Sequence, residues 1–342
     1  MTFVVLSIML CLKLLDMIEL SPFLSSYCFR LIVLKLQKFF FFRSQFEVQI
    51  FWQWSSYLQQ QATTAGRRVV LLNLDETAIP RCAMKSRGYL TKKSSHVFRF
   101  LKKDLQRGIA THVAVVADNT RVQGMMPQFL LVNKRLFKES EVPADLGVPG
   151  LKVWQGDSAW NSWLIMRDIL QEISFAAQTL ENTQLILTLD ACPCHLHGGV
   201  IGMANALDIW LLFVPARLTY LLQPLDVYGF AAYKTALMRL FRLHEKDGEL
   251  SRNHWIRSLA ALVKEYWRGK KWSKAFEIVG VKNAPQVSLT RELRMLKVDT
   301  VVNNPIPRPT ADQLQRIFPR NRKCPWHSLM LLPGAVPVGI LD

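Results

Sequence analysis

Acidic residues are scarce in this chain. Its 342 residues hold 26 Asp and Glu against 43 Lys and Arg, a formal charge of +17. Such an excess is unusual for an enzyme of small metabolites and favours a polyanionic partner, nucleic acid before an anionic membrane surface. Cysteine is scarce as well. Six thiols (Cys11, Cys28, Cys82, Cys192, Cys194 and Cys324) scattered over this length exclude a disulfide framework and fit a reducing, intracellular compartment. Long apolar runs are missing. A spanning helix needs roughly 18–20 apolar residues without charge, whereas the apolar start, Met1 to Leu12, is soon interrupted by Lys13, Asp16 and Glu19. It also lacks the basic start and small-residue cleavage site of a signal peptide.

Half of the residues are hydrophobic, enough for a sizeable core. Three stretches follow from composition: an apolar extension over 1–50, a mixed α/β domain over 51–245, and a basic, helical region with a Pro-containing tail over 246–342. The positive charge is uneven, with 20 Lys and Arg against 8 Asp and Glu between Ala231 and Lys323. Within the extension, Phe39-Phe40-Phe41-Phe42 suits no ordinary element. Membrane association of residues 1–45 is the minor alternative there.

Short apolar runs mark strands at Val69–Leu74, Thr111–Ala117, Phe129–Val132, Leu185–Leu189 and Ile209–Val214, with a weaker one at Gly88–Leu90. Apolar residues three and four apart predict a helix from Ser158, its N-cap, to Thr179. Helices are also expected at Gly198–Leu207, from Pro224 through Leu240, around Trp255–Trp267 and over Lys274–Val279. Strands that cluster first and then alternate with helices predict a mixed sheet flanked by helices.

Three acids close or follow apolar runs. Asp75 ends Val69–Leu74, Asp190 ends Leu185–Leu189, and Asp226 sits in the first turn of the helix opened by Pro224. Strand ends on one edge of a sheet bring side chains together that are far apart in sequence. Carboxylates so gathered suit Mg²⁺ or Mn²⁺, and two such ions can activate a water or a 3′-hydroxyl and stabilise a leaving oxygen. Taken singly, each acid reads rather as a turn former or a helix-terminus charge.

Three blocks join them: Asn73-Leu74-Asp75-Glu76-Thr77; Leu189-Asp190-Ala191-Cys192-Pro193-Cys194-His195; and Pro215 through Gln223-Pro224-Leu225-Asp226 to Lys234, with 35 residues between Asp190 and Asp226. Together they resemble the DDE superfamily endonucleases, most closely the mariner/pogo type of transposase. The resemblance covers about Phe51 to Arg242. It implies an RNase H-like α/β fold, Asp75, Asp190 and Asp226 as a catalytic, metal-binding triad for Mg²⁺ or Mn²⁺, and cleavage and joining of DNA in the nucleus. His195, Gln223 and Lys234 become accessory residues, Glu76 at best a helper, and a homo-oligomer is compatible. Two departures favour an alternative, an inactive nucleic-acid-binding remnant. Ala191 stands where the family has Asn, and residues 1–50 are mostly apolar, whereas a DNA-reading helix needs exposed Arg, Lys and Asn.

Two further clusters have other readings. Cys192, Cys194, His195 and His197 hold metal-ligand chemistry, but Cys-Pro-Cys-His leaves little chain to wrap an ion and no distant pair follows; a loop beside the acidic site is expected instead. Trp154, Trp160 and Trp163 could stack on bases, yet their spacing assigns them to the core. The basic and aromatic run Tyr266–Lys274 offers Arg268, Lys270, Lys271 and Lys274 to nucleic-acid phosphates, or else is a solvated turn between helices.

Overall fold

The computed structural model describes residues 44–80, 108–143, 146–245, 251–268, 270–282, 286–298 and 305–317. The chain separates into two units, Met1–Glu47 and Val48–Asp342. All elements named below lie in the second, which holds both the sheet and the C-terminal helices. The weak strand expected at 88–90 and the Phe39–Phe42 run lie outside the described residues.

The helix over 44–64, whose part from 48 on (α1) belongs to the second unit, leads into β1 (Arg68–Pro80). Then come β2 (Gly108–Ala117), α2 (Thr120–Met125), β3 (Gln128–Asn133) and β4 (Leu151–Gly156). The second half alternates: α3 (Trp163–Ala177), β5 (Thr183–Asp190), α4 (Gly198–Ala206) and β6 (Ile209–Val214). The six strands form one sheet in the order β4-β3-β2-β1-β5-β6. β2 is antiparallel to both β1 and β3, whereas β5 is parallel to both β1 and β6. This is the expected α/β, RNase H-like topology, with β4 added parallel to the outside of β3.

β1 runs six residues past the apolar run that predicts it. Beyond Asp75 its burial alternates, with Thr77 and Ile79 buried and Ala78 exposed, and its antiparallel pairing with β2 continues to Ile79 opposite Ala110. Asp75 therefore stands inside a strand, not at its end. Parallel pairing with β5 stops earlier, at Asn73 opposite Thr188. Two more residues of that register would set Asp190 beside Asp75. β4 gives no clear signal in sequence because its residues are half-buried and do not alternate, as befits an edge strand.

Helix α3 starts four residues later than expected. Its N-cap is Ser162, whose Oγ accepts from the N–H of Ile165 at 3.3 Å, not Ser158. Of the apolar positions that predict the helix, Ile169, Leu170 and Ile173 are buried, joined by Met166 and Ala177, whereas Leu164 is exposed. Trp160 falls in the turn before the cap and is 80% exposed, which overturns its assignment to the core.

The chain then makes a short helix α5 (Thr219–Leu222), a wide π-type turn over Leu225–Gly229, and the long helix α6 (Phe230–Glu245). Past it lie α7 (Arg252–Val263), continued by a second π-type turn (Lys264–Arg268), then α8 (Ser273–Ile278), α9 (Arg291–Met295) and α10 (Ala311–Ile317). An aromatic block fastens these helices. Trp267 and Trp272 stack at 5.0 Å, both essentially fully buried, and Tyr233 of α6 meets Trp267 edge-on at 4.9 Å. On the far side, the indole N–H of Trp52 in α1 donates to Val279 O at 3.0 Å. Gly280, at φ +73°, lets the backbone pass that ring, since a Cβ there would lie 2.5 Å from it.

Candidate functional site

The site is built on Asn73, a fully buried amide in the middle of an apolar strand. Its Nδ2 donates to Thr188 O of β5 at 3.0 Å, and its Oδ1 accepts the N–H of Leu225 at 2.9 Å. A helix start leaves its first N–H groups without partners, and Pro224 has none to offer. Asn73 satisfies the next one. The amide thereby ties β1, β5 and the turn bearing Asp226 to one point. The π-type geometry of Leu225–Gly229, a device concentrated at functional positions, holds Asp226 exposed to solvent.

Around this anchor the acids differ in environment. Asp75 is 8% exposed, and its Oδ1 accepts the N–H of Glu76 at 2.7 Å. Burial and the charges of Asp226, Glu76 and Asp190 push its pKa well above the ordinary carboxylate value. Asp226 and Asp190 thus both lie close enough to act on Asp75. The ligand oxygens of the three acids do not all come within 4.8 Å of one another, however; among the described residues that closeness is reached only by Cys192, Cys194 and His195. No single ion can touch the three acids as they stand.

Asp190 is held differently. Burial would raise its pKa, but the hydrogen bond and charge of His195 outweigh this and keep it below the usual value. His195 Nδ1 lies 2.6 Å from Asp190 Oδ1, and Nε2 lies 3.1 Å from Glu76 Oε1. The ring is completely buried. Burial alone would strip its proton, yet Glu76 and Asp190 together raise its pKa well above the ordinary histidine value. Asn161 Nδ2 donates to the same Glu76 oxygen, while Asn161 Oδ1 is buried and has no partner. Glu76, a helper at best on sequence, is thus half of the clamp on His195.

The Cys-Pro-Cys-His segment does form the loop beside the acids. The N–H groups of His195 and Leu196 both donate to Cys192 O, at 3.2 and 3.1 Å, which folds the segment into a tight turn. Cys192 and Cys194 are free thiols with their sulfurs 2.9 Å apart. His197 takes no part: it caps α4 by accepting Gly199 N–H at 3.1 Å and stacks on Trp163 at 4.2 Å. A cleft of about 630 Å³ opens here, lined by Glu76, Asn161, Asp190, Cys192, Cys194 and Trp160 among others.

The other predicted residues lie around this edge in different states. Gln223 is fully buried, its Nε2 a long 3.5 Å from Leu74 O and its Oε1 without a partner; it braces the turn and does not face solvent. Lys234 is exposed on α6, its ammonium 5.8 Å from the Phe230 ring centre. Lys271 and Lys274 are exposed, and Arg268 is half-buried. Lys270 is held within the aromatic block, its ammonium 4.5, 4.6 and 4.9 Å from the ring centres of Tyr228, Tyr266 and Trp272. Asn73 is the site residue whose role sequence reasoning missed. The signal was there: an amide inside a buried apolar run must have specific partners.

Among the described residues no helix is long and apolar enough to cross a membrane. No protein-family model matches the chain, and neither does any curated protein. Solved structures similar to it include the Mos1 transposase paired-end complex with left transposon end, at 14% identity and a TM-score of 0.35, covering 69% of this chain and 62% of that one. Another is the Mos1 transposase catalytic domain with raltegravir and Mg, at 13% identity and a TM-score of 0.30, covering 69% of this chain and 97% of that domain. The chain thus spans 62% of the length of the transposase in the paired-end complex.

Proposed function

We propose that the edge carrying Asp75, Asp190 and Asp226 is a two-metal phosphoryl-transfer site, and that the protein is a transposase-derived, nuclear endonuclease and strand-transfer protein acting on DNA. Asp75 carries this reading: a buried carboxylate crowded by Asp226, Glu76 and Asp190. Such crowding calls for a proton or a cation to offset it. The donors are hard carboxylate oxygens, which suit Mg²⁺ or Mn²⁺. Asp75, Asp190 and Asp226 would hold such ions. When bound, such ions activate a water or a 3′-hydroxyl and stabilise the leaving oxygen. Asn73 fixes the Asp226 turn, His195 keeps Asp190 ionised, and Lys271 and Lys274 offer charge to the phosphate backbone.

A second reading, the non-catalytic nucleic-acid-binding remnant, is favoured by one observation. His195 already supplies a positive partner to Asp190 and Glu76, so part of the charge that would hold an ion is offset within the protein. Incubating the purified chain with nicked and intact DNA duplexes decides between the two. The catalytic reading expects cleavage or joining only with Mg²⁺ or Mn²⁺, reduced by about 10³-fold or more in Asp190→Asn, the several kcal/mol that a metal ion contributes. Activity that persists in that variant or without metal overturns it. Salt-sensitive DNA binding without turnover establishes the remnant.

A further inference from the structure

The thiols beside Asp190 have no part in the chemistry proposed above. Cys192 Sγ, Cys194 Sγ and a ring nitrogen of His195 all lie within 4.8 Å of one another, the one such grouping among the described residues. The short Cys-x-Cys spacing looks unable to wrap an ion, but wrapping is not needed. The two hydrogen bonds onto Cys192 O close the turn, and the turn gathers the three donors.

From this geometry we infer that Cys192, Cys194 and His195 form a three-ligand site for a thiophilic cation of the zinc type, with its fourth position open to the cleft. Zinc–sulfur bonds of about 2.3 Å and zinc–nitrogen bonds of about 2.0 Å set the sulfurs of a tetrahedral site roughly 3.7 Å apart. The two thiols, now 2.9 Å apart, need only spread by somewhat under 1 Å, within reach of a small rotation about each cysteine's Cα–Cβ bond. The second shell is in place. Each His195 nitrogen has a carboxylate beside it, Asp190 on Nδ1 and Glu76 on Nε2. Coordination takes the place of one of these two contacts: the ligating nitrogen gives up its proton to solvent, and the other stays bonded to an acid, the arrangement that fixes the tautomer and orientation of a metal-bound imidazole. The open position faces the cleft of about 630 Å³, where Glu76 and Asn161 are at hand for a bound water. Three protein ligands and one open position are the pattern of reactive zinc sites; four-ligand structural sites are closed.

Ligand softness separates this site from the carboxylate edge. Thiolates select zinc-type ions, and Mg²⁺ avoids them. The inference therefore does not depend on the DNA-cleavage reading and can fail without it.

Co²⁺ titration of the reduced, chelator-treated full chain provides the test. One equivalent of Co²⁺ should produce a near-ultraviolet sulfur-to-cobalt charge-transfer band, and excess Mg²⁺ should not bleach it whereas Zn²⁺ should. The band should be lost in Cys192→Ser and in Cys194→Ser, and kept when Cys11, Cys28, Cys82 and Cys324 are all changed to Ser. No band, or one that survives the double change Cys192→Ser/Cys194→Ser, overturns the site. X-ray absorption at the zinc edge of the unaltered protein guards against misfolded variants: two sulfur scatterers are expected, and a shell of only nitrogen and oxygen overturns it.

Discussion

Two histidines in this protein are equally buried, and their surroundings drive their protonation in opposite directions. His112, in β2, is enclosed by the aromatic block, with Tyr233 and Trp267 edge-on at 5.3 and 5.4 Å. Its Nε2 lies 3.2 Å from Gln128 Oε1, and its Nδ1 lies 3.0 Å from Tyr233 OH. The Gln128 amide is fixed in turn, because its Nε2 donates to Val115 O and its Oε1 accepts Val115 N–H. His112 is therefore the neutral tautomer that donates from Nε2 and accepts the Tyr233 hydroxyl at Nδ1. Burial drives its pKa down to about 3, against a small opposing pull from Gln128. His195 is no less buried, but its partners are Glu76 and Asp190, and its pKa is raised. Burial sets how much is at stake in a protonation state, and the partners set which state wins.

The sharpest way to break this contrast is to take away each ring in turn. His195→Leu removes the charge between two acids and leaves Asp190 and Glu76 facing a hydrocarbon. Breaking a buried pair from one side costs about 3–5 kcal/mol, and the lower end applies here because both carboxylates keep some access to water. The loss should show in urea unfolding at pH 7 and shrink towards pH 4, where the stranded acids can take up protons. In the unaltered protein the pair has a window. Asp190's share disappears as pH falls through its lowered pKa, and His195's share disappears as pH rises through its raised one. A deficit of the same size at every pH would show that His195 acts by packing alone.

Asn73 gives the neutral version of the same experiment. Asn73→Ala strands the Leu225 N–H and the Thr188 carbonyl, an expected cost of about 1–3 kcal/mol. Because the Asp226 turn loses its tether, metal-dependent DNA cleavage should fall by more than the stability loss explains when both are measured at 15 °C below the variant's own melting temperature, on the order of 10-fold. Unchanged turnover would detach Asn73 from the site and leave it a structural amide.

Sequence showed the sheet more readily than the site. Five strands were legible because their apolar runs are short, continuous and rich in Val, Ile and Leu, the mark of strands buried on both faces. β4 was not, since an edge strand with Lys152 and Gln155 carries no such run. The three acids were legible as positions, but their inequality was not. Asp75 is buried and crowded, Asp190 is clamped and Asp226 is exposed, and those differences come from residues distant in sequence: Asn73 across to Leu225, and His195 across to Glu76. The Trp residues show the same limit. Helical spacing described Trp163 and Trp160 alike, yet where α3 begins depended on which serine capped it, and Trp160 fell outside.

The acid side of the comparison is sharpened through His112. Its folded pKa of about 3 lies below the unfolded value near 6.5, so the unfolded chain binds the extra proton first. Stability from this residue is complete above pH 6.5 and declines as pH falls towards 3, on the order of 1 kcal/mol per pH unit. His112→Gln should remove that slope between pH 6.5 and 5 while costing some stability at pH 7. A slope that persists in the variant would assign acid sensitivity to other groups.

Lys270 marks the far edge of the aromatic block and yields the smallest expected effect. Its ammonium sits over Tyr228, Tyr266 and Trp272 and reaches Tyr266 OH at 3.2 Å. Cation–π contacts at a half-exposed position contribute about 0.5–1 kcal/mol. Lys270→Met keeps the aliphatic stem and should lower stability by that amount with little change in DNA affinity. Lys271→Met and Lys274→Met remove exposed charge and should do the reverse, reducing the dependence of log affinity on log salt by about 1 each if they contact duplex phosphates. A Lys270 variant that weakens DNA binding as much as these would mean that the lysine leaves its cage to meet the phosphate, and that the aromatic block is less closed around it than around His112.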